Sequence, residues 1–423
     1  MTECLHAPAQ LDLFEHVAKA YLTTDDGLLD NSTLYRQVVA RAGIAESALL
    51  HRVPVGRAGQ AYNVLKRKVR WYQQTLKTIG LIEHVPNARG VWQLTGKGRQ
   101  ALKRALPETA LVAFSTALGV AIWASSDRVF GRINEPIHLY LCSPPYPLQQ
   151  PRAYGNPSEP EYVDFVCRIL EPIVHNLVPG GSICLNISND IFLPKSPARS
   201  LYRERLVIAL HERLGLSKMD EFIWHNGSKP PAPVAWASKL RVQLNTAWEP
   251  IYWFTNDPAH VRSNNRRVLE PHTERHLKLI AEGGVKRIIA NSDGAYRLRP
   301  GSYGAATPGR IPRNVLSYGH SCADQRAYKR NARELSLQAH GAAMPRSLVR
   351  FLIQFLTEQG DLVVDSLSGS QTTAIEAEDL GRRWLTTEWI WDYLRGGAER
   401  FREAAGYWLN PAFIACGADI VGA

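Results

Sequence analysis

DLVVDSLSGSQTTAIEAEDLGRRWLTTEW, residues 361–389, decides the fold. The run from Leu362 to Leu367 reads as a buried strand, Ser368-Gly369-Ser370 as a tight turn, and Gln371 to Leu380 as a helix. Arg383 to Thr387 reads as a second strand, ending in Glu388. This is a βαβ unit whose first turn opens at a helix N-terminus, and Glu388 follows Asp365 by 23 residues. An acid about 20 residues on is where such a unit grips the hydroxyl pair of a nucleoside ribose. A βα turn that bound nothing would have no use for it.

More than two hundred residues upstream, Ser143-Pro144-Pro145-Tyr146 follows another apolar run, Ile137 to Leu141. A rigid tetrapeptide at the end of a strand sits where α/β folds place ligand chemistry. Two prolines fix the backbone, so a carbonyl at Ser143 or Pro144 and the Ser143 hydroxyl can accept hydrogen bonds from an NH2 group. Tyr146 offers a face on which a base taken out of its stack can lie. Alone, four such residues would read as a proline turn after a strand. Paired with the downstream nucleoside-type unit, they read as a site for a nucleobase amine.

Together the two elements resemble the β-group amino-methyltransferases of DNA, which move a methyl group from S-adenosylmethionine to N4 of cytosine or N6 of adenine. That family writes its catalytic motif as Asp/Asn/Ser-Pro-Pro-Tyr/Phe, and the serine form is typical of the N4-cytosine members. The catalytic motif precedes the cofactor motif, which resembles the permuted β-group order. Residues 153–190, 222–254 and 340–365 are similar to characteristic blocks of the group, and the likeness spans Phe114 to Pro258 and Leu337 to Phe401.

The resemblance implies an α/β, Rossmann-like S-adenosylmethionine-dependent methyltransferase fold with a mixed sheet, and site-specific methylation of cytosine N4 in double-stranded DNA. Ser143, Pro144, Pro145 and Tyr146 are then catalytic. Asp365, Ser366, Leu367, Ser368, Gly369, Ser370, Thr372, Thr373, Glu388, Trp389, His340 and Pro345 are then cofactor-binding. The partner is duplex DNA, with room for a cognate restriction endonuclease acting on the same site. N6-adenine methylation is the nearest alternative, since the tetrapeptide suits both amines.

Departures from the family pattern fall on the cofactor side. Where the family has Asp-Pro-Phe-x-Gly-Ser-Gly, this chain has Asp365-Ser366-Leu367-Ser368-Gly369-Ser370-Gln371. Loss of the Phe removes an aromatic contact, and Gln371 puts a side chain where close backbone approach is usual, so weakened cofactor affinity is expected. A further alternative follows, a DNA-binding regulator on a methyltransferase scaffold with weakened turnover. The family also tends to carry an acid for the adenine amine near Ser125-Ser126, and Asp127 is displaced from that place. Cys142 adjoins the catalytic motif, yet a thiolate mechanism expects a Pro-Cys loop and a neighbouring base, so Cys142 is read as packing.

At 423 residues the chain should hold two or three domains, and 45% apolar residues suffice for a large core. Its six cysteines show no Cys-x-x-Cys pair and its 13 histidines no ligand cluster, which argues for reduced thiols and no metal site. No signal peptide and no apolar run of about 18 residues is apparent, so a bacterial cytoplasmic, nucleoid-associated location is expected. The net charge of +11 is unevenly placed: residues 51–106 are net +11, residues 260–337 net +9, and the remainder net −9. Two phosphate-facing surfaces flanking an acidic body fit that pattern.

The first basic segment reads as helix Ala61 to Ile79, a strand from Leu81 to Val85, a strand from Val91 to Leu94 and a helix from Thr95 on, resembling a winged helix. Lys66, Arg67, Lys68 and Arg70 would meet phosphates or base edges, with Arg89 on the wing. A solvated helix in a protein-interaction domain is the alternative. The second basic segment lies where β-group enzymes carry their target-recognition domain. Its turns are rich in Asn and Arg, and Arg266, Arg267, Asn291, Arg297, Arg299, Arg310 and Arg313 are candidates to touch DNA. The expected division is a winged-helix-like domain at 1–110, a catalytic half at 111–258, an inserted recognition domain at 259–337 and a cofactor half at 338–423. The segment after Tyr407 should pack on the body.

Overall fold

The structure, a computed structural model, describes residues 28–55, 60–78, 80–86, 88–95, 110–148, 155–291, 296–320 and 322–418, with 16–17, 20–21 and 24. In the N-terminal region the first described strand is β1 (Leu28–Asp30), followed by helix α1 (Asn31–Arg41), with helical residues 16–17 and 20–21 before them. Asp30 caps α1 by accepting from the amides of Ser32 and Thr33. A hairpin, β2 (Val53–Val55) and β3 (Gln60–Tyr62), leads into α2 (Val64–Thr78), then β4 (Ile82–His84) and β5 (Val91–Leu94). β1, β5 and β4 form an antiparallel sheet over a small core that includes Leu34, Val38, Val69, Tyr72, Leu76 and Trp92.

The basic helix thus starts three residues later than the sequence suggests. Ala61 and Tyr62 are held in the hairpin, and Asn63 stops helix growth backward: its Oδ1 accepts from Lys66 N at 2.8 Å while its amide donates to Ala48 O and His51 O. The expected helix after Thr95 lies outside the described residues.

The body is one ten-stranded sheet. In chain order its elements are β6 (Ala110–Ser115), β7 (Gly119–Ala124), β8 (Ile137–Cys142), α3 (Tyr162–His175), β9 (Leu177–Asn186), α4 (Tyr202–Leu214), β10 (Ser217–His225) and β11 (Trp248–Thr255). There follow α5 (Glu274–Ala281), a separate hairpin of β12 (Ile289–Asn291) and β13 (Tyr296–Leu298), β14 (Val315–Ser317), α6 (Ala323–Glu334) and α7 (Arg346–Leu356). The chain closes with β15 (Leu362–Asp365), α8 (Thr372–Asp379), β16 (Arg383–Glu388), α9 (Trp391–Ala398), β17 (Trp408–Leu409) and α10 (Pro411–Ala418).

The strand order is β14-β10-β11-β9-β8-β15-β16-β7-β6-β17, with β9, β8, β15, β16 and β7 mutually parallel and β11 antiparallel between β9 and β10. The central strands are apolar on both faces because helices cover both, as parallel sheets require. α3 and α4 pack on one face with Leu170, Ile173, Leu206 and Leu210; α7, α8 and α9 cover the other with Leu348, Leu352, Ala374 and Leu394. The last segment packs on the body: β17 pairs with β6, and Phe413 is buried against Trp123 and Trp391.

The two sequence motifs meet because β8 and β15 are neighbours, Val363 opposite Leu139 and Val364 opposite Tyr140. Chain direction reverses its progress across the sheet there, so the carboxyl ends of β8, β15 and β16 open into one crevice.

Candidate active site

One cavity of about 570 Å³ lies at those strand ends. Ser143, Pro144, Pro145 and Tyr146 line it from β8; Asp365, Ser366, Leu367, Ser368, Gly369, Ser370, Thr372 and Thr373 line it from β15 and α8; and Glu388 and Trp389 line it from β16. His340 joins from the approach to α7. Pro345 does not: it is the buried cap residue of α7, its carbonyl accepting from Leu348 and Val349, and Ala342, Ala343 and Met344 line the cavity instead. The volume is that of a small-molecule site.

The turn after β15 is held from beneath. Asp365 accepts from Leu367 N at 3.1 Å and from the Thr373 hydroxyl at 2.7 Å; the Ser366 hydroxyl bonds Tyr140 OH at 2.7 Å; Ser368 donates to Thr387 O; and Arg400 donates to Ser370 O. Gly369 donates its amide to Glu388 Oε2 at 2.7 Å, and Ile390 donates to Oε1 at 2.8 Å. At Gly369 φ is +50°, and a Cβ would come within 3.1 Å of the His340 ring. Glycine is therefore favoured there on both counts.

Gln371 has the conformation of the glycine it replaces, with φ +64° and ψ +30°, at a cost of roughly 1–2 kcal/mol. Its side chain points away from the cavity. It is fully buried, donates to Ser368 Oγ and accepts from Thr386 Oγ1 at 2.7 Å. Gly397 makes the room, since a Cβ there would lie 2.6 Å from Gln371 Cγ. The expectation that Gln371 obstructs the cofactor is thus corrected: its bulk is on the protein side of the turn.

Burial pushes the Glu388 carboxyl up to about 7, opposed by backbone amide donors, and Asp365 up to about 6, opposed by the Thr373 hydroxyl and the Leu367 amide. Arg168 is the one Lys or Arg among the described residues of the lining, and it is exposed. Two buried carboxyls on a cavity with so little compensating charge suit a ligand that is cationic and carries hydroxyl donors. Cys142 is fully buried and its thiol is pushed well above the ordinary value by that burial, as a packing residue should be.

Asn186, at the end of β9, was not singled out by the sequence. Its Oδ1 accepts from Tyr146 OH at 3.0 Å and from Ser143 Oγ at 3.3 Å, while its amide donates to Glu249 and Pro250 O, both at 3.4 Å. A carbonyl oxygen only accepts, so it draws the hydroxyl protons toward itself and leaves Ser143 lone pairs facing the cavity. Phe165, Tyr393 and Asp127 also line the cavity.

The candidate DNA contacts lie elsewhere. On α2, Arg67 is exposed and stacks over Tyr62 at 4.8 Å, Lys66 stands over Tyr35 at 5.5 Å, and Arg89 is exposed beside the β4–β5 turn. Arg266, Arg297, Arg299 and Arg313 are exposed. Arg267 is engaged with the body, donating to Arg262 O and pairing with Glu358, and Arg310 pairs with Glu270 at 2.6 Å. Arg267 is thus held against the body, whereas Arg310 is exposed and its pair with Glu270 is a surface one. The side chain of Asn291 lies outside the described residues. Among the described residues no His/Cys/Asp/Glu group could hold a metal ion, and no helix is long and apolar enough to cross a membrane.

Residues 137–399 match the N6/N4 methyltransferase family, described as DNA methylase, and residues 19–104 match the Mrr N-terminal domain. The chain is 32% identical to Type II methyltransferase M.PvuII of Proteus hauseri over 276 residues, 63% of this chain and 79% of that protein. Its fold is similar to the solved structure of the PvuII DNA methyltransferase, described as cytosine-N4-specific: TM-score 0.55, 26% identity, 73% of this chain and 94% of the other.

Proposed function

This chain belongs to the N6/N4 DNA methylase family, and on that premise we infer that it methylates the N4 amine of a cytosine in duplex DNA, with S-adenosylmethionine as donor. One observation carries the reading: the Ser143 tetrapeptide and the Asp365–Glu388 nucleoside cradle, far apart in sequence, line a single cavity. The residues fit the donor. Glu388 keeps free lone pairs for ribose hydroxyls beside those engaged by backbone amides, Trp389 offers an aromatic face, and the buried carboxyls favour a cation. When bound, S-adenosylmethionine supplies an electrophilic methyl on a sulfonium sulfur.

The chain's own residues do the rest. Cytosine N4 is a poor nucleophile because its lone pair is delocalised into the ring. Ser143 Oγ and a carbonyl of the Pro-Pro segment accept its N–H bonds and hold it pyramidal, while Asn186 fixes the Ser143 and Tyr146 hydroxyls. Tyr146 presents the face on which the extruded base lies. Holding the acceptor in line is worth about 7–11 kcal/mol in favourable cases. Of the departures that suggested a regulator with weakened turnover, Gln371 faces away from the cavity, whereas Ser366 and Leu367, which stand where the family has Pro and Phe, line it.

In this reading residues 1–110 hold phosphates, 259–337 read the bases, 111–258 supply the acceptor pocket and 338–423 the donor pocket. A cognate restriction endonuclease would cut the same site when unmethylated, and the enzyme would work in the cytoplasm on the nucleoid. Modification-sensitive sequencing of genomic DNA from an expressing strain tests it. One recurrent motif with a modified cytosine is expected; modified adenine alone, or no modification, would overturn it.

A further inference from the structure

The connection from β10 to β11 carries an apolar strip that nothing in the described chain covers. Leu240 is 61% exposed, Val242 61% and Leu244 88%. They alternate with Lys239 and Arg241, both exposed and free of ion pairs among the described residues. Three bare aliphatic side chains in a row are costly in water unless a partner covers them.

The backbone beneath them is nevertheless held. The stiff Lys229-Pro230-Pro231 entry leads to one wide helical turn, Val234–Lys239, in which Leu240 N donates to Ala235 O and Val242 N to Trp236 O. Gln243 donates to Pro197 O at 2.8 Å, Thr246 N to Ala232 O at 2.8 Å, and the Thr246 hydroxyl to Asp190 at 2.6 Å. Order that leaves most of the strip's own apolar surface bare is preorganisation for something else.

Its place says what. The connection enters β11 at Trp248, and the next residue, Glu249, accepts from Asn186, which in turn holds Ser143 and Tyr146. The strip thus lies on the segment that leads into the support of the base pocket, Leu244 five residues before Glu249, with cations interleaved along it. We propose that it is a wedge: Leu244, supported by Leu240 and Val242, enters the duplex where the target base leaves its stack, while Lys239 and Arg241 hold the flanking phosphates. Apolar side chains fill such gaps in other duplex-distorting proteins, and the cations match a polyanion. The proposal rests on the methylation reading above.

The test uses the full chain and duplexes bearing its mapped site. Single-turnover methylation is measured for wild type, Leu244→Ala and Leu244→Gln on a matched duplex and on one with an abasic position opposite the target cytosine. In that second duplex the base leaves its stack at little cost. Both variants should lose about tenfold or more on the matched duplex, yet come within about threefold of wild type on the abasic one. S-adenosylmethionine affinity should not change. Equal loss on both duplexes, or no loss on either, would overturn the wedge, as would a change of oligomeric state, which would make the strip a contact between copies. If wild type methylates no cytosine, the methylation reading falls instead.

Discussion

The cofactor turn and the recognition segment are built by opposite rules. From Asp365 to Thr373 the polar side chains are buried and bonded: Asp365 to Thr373, Ser366 to Tyr140, Ser368 to Thr387, Gln371 to Thr386. From Ser263 to Arg313 the chain makes an eight-residue helix, a short hairpin and single turns, with Arg266, Arg297, Arg299 and Arg313 in solvent. A buried polar group must find a partner, so few residue types serve in the first region; an exposed loop imposes no such condition. Residue types are thus tightly constrained in the buried region and loosely in the exposed one, which is the division the proposed roles of donor pocket and base reading would require.

Breaking the buried side should cost most. Tyr146→Ala removes the stacking face and the hydroxyl that shares Asn186 with Ser143. Turnover should fall about hundredfold or more while duplex affinity stays within about threefold, since stacking of one base is worth roughly 1–3 kcal/mol. Wild-type turnover in a methylation assay would remove Tyr146 from the site.

Glu388→Gln comes next. By calorimetry S-adenosylmethionine should bind about tenfold more weakly or worse, with the methylated DNA sequence unchanged. Burial raises the Glu388 carboxyl from 4.5 to about 7, so the folded protein holds this proton more tightly than the unfolded chain. The stability it contributes is complete below the unfolded value and is lost as pH rises through about 7. Glutamine abolishes that titration, so the fall of Tm through about pH 7 should flatten in the variant, which also loses one of the two backbone N–H acceptors and binds the donor less well. Cofactor affinity of the parent should rise from about pH 6 to about pH 8 as the carboxylate forms, and stay flat in the variant.

On the exposed side the effect is graded. Replacing Lys66, Arg67, Lys68 and Arg70 with Ala should flatten the slope of log affinity against log salt by about 0.9 for each phosphate no longer neutralised, without altering site preference. An unchanged slope would mean that α2 faces a protein or solvent. A change in preference would mean that α2 reads bases.

Gln371→Gly should do least to the ligand. Because the side chain points under the turn, S-adenosylmethionine affinity should stay within about threefold, while Tm falls by a few degrees as two buried hydrogen bonds go and strain is relieved. A large gain in affinity would put Gln371 back in the cavity.

The sheet's centre was legible because β8, β15 and β16 are short apolar runs ended by functional residues, and all four catalytic candidates and eleven of twelve cofactor candidates do line one cavity. The exception, Pro345, adjoins Met344 of the lining but serves as a helix start. Other features hid for physical reasons. Asn186 looks like any polar residue closing a strand until the fold sets it beside Ser143. The direction of Gln371 depends on a left-handed backbone and on Gly397, 26 residues away. The start of α2 depended on Asn63 reaching back to Ala48 and His51. Arg267 and Arg310 carried the same charge as their neighbours, and only the fold showed the carboxylates that occupy them.

Mass spectrometry of nucleosides released from unmodified DNA after treatment with the purified protein and S-adenosylmethionine bears on the whole reading at once. N4-methylcytosine should appear, and should vanish with Ser143→Ala. N6-methyladenine in its place, or N4-methylcytosine that survives loss of the Ser143 hydroxyl, would contradict the assignment of Ser143 as the group that holds the cytosine amine.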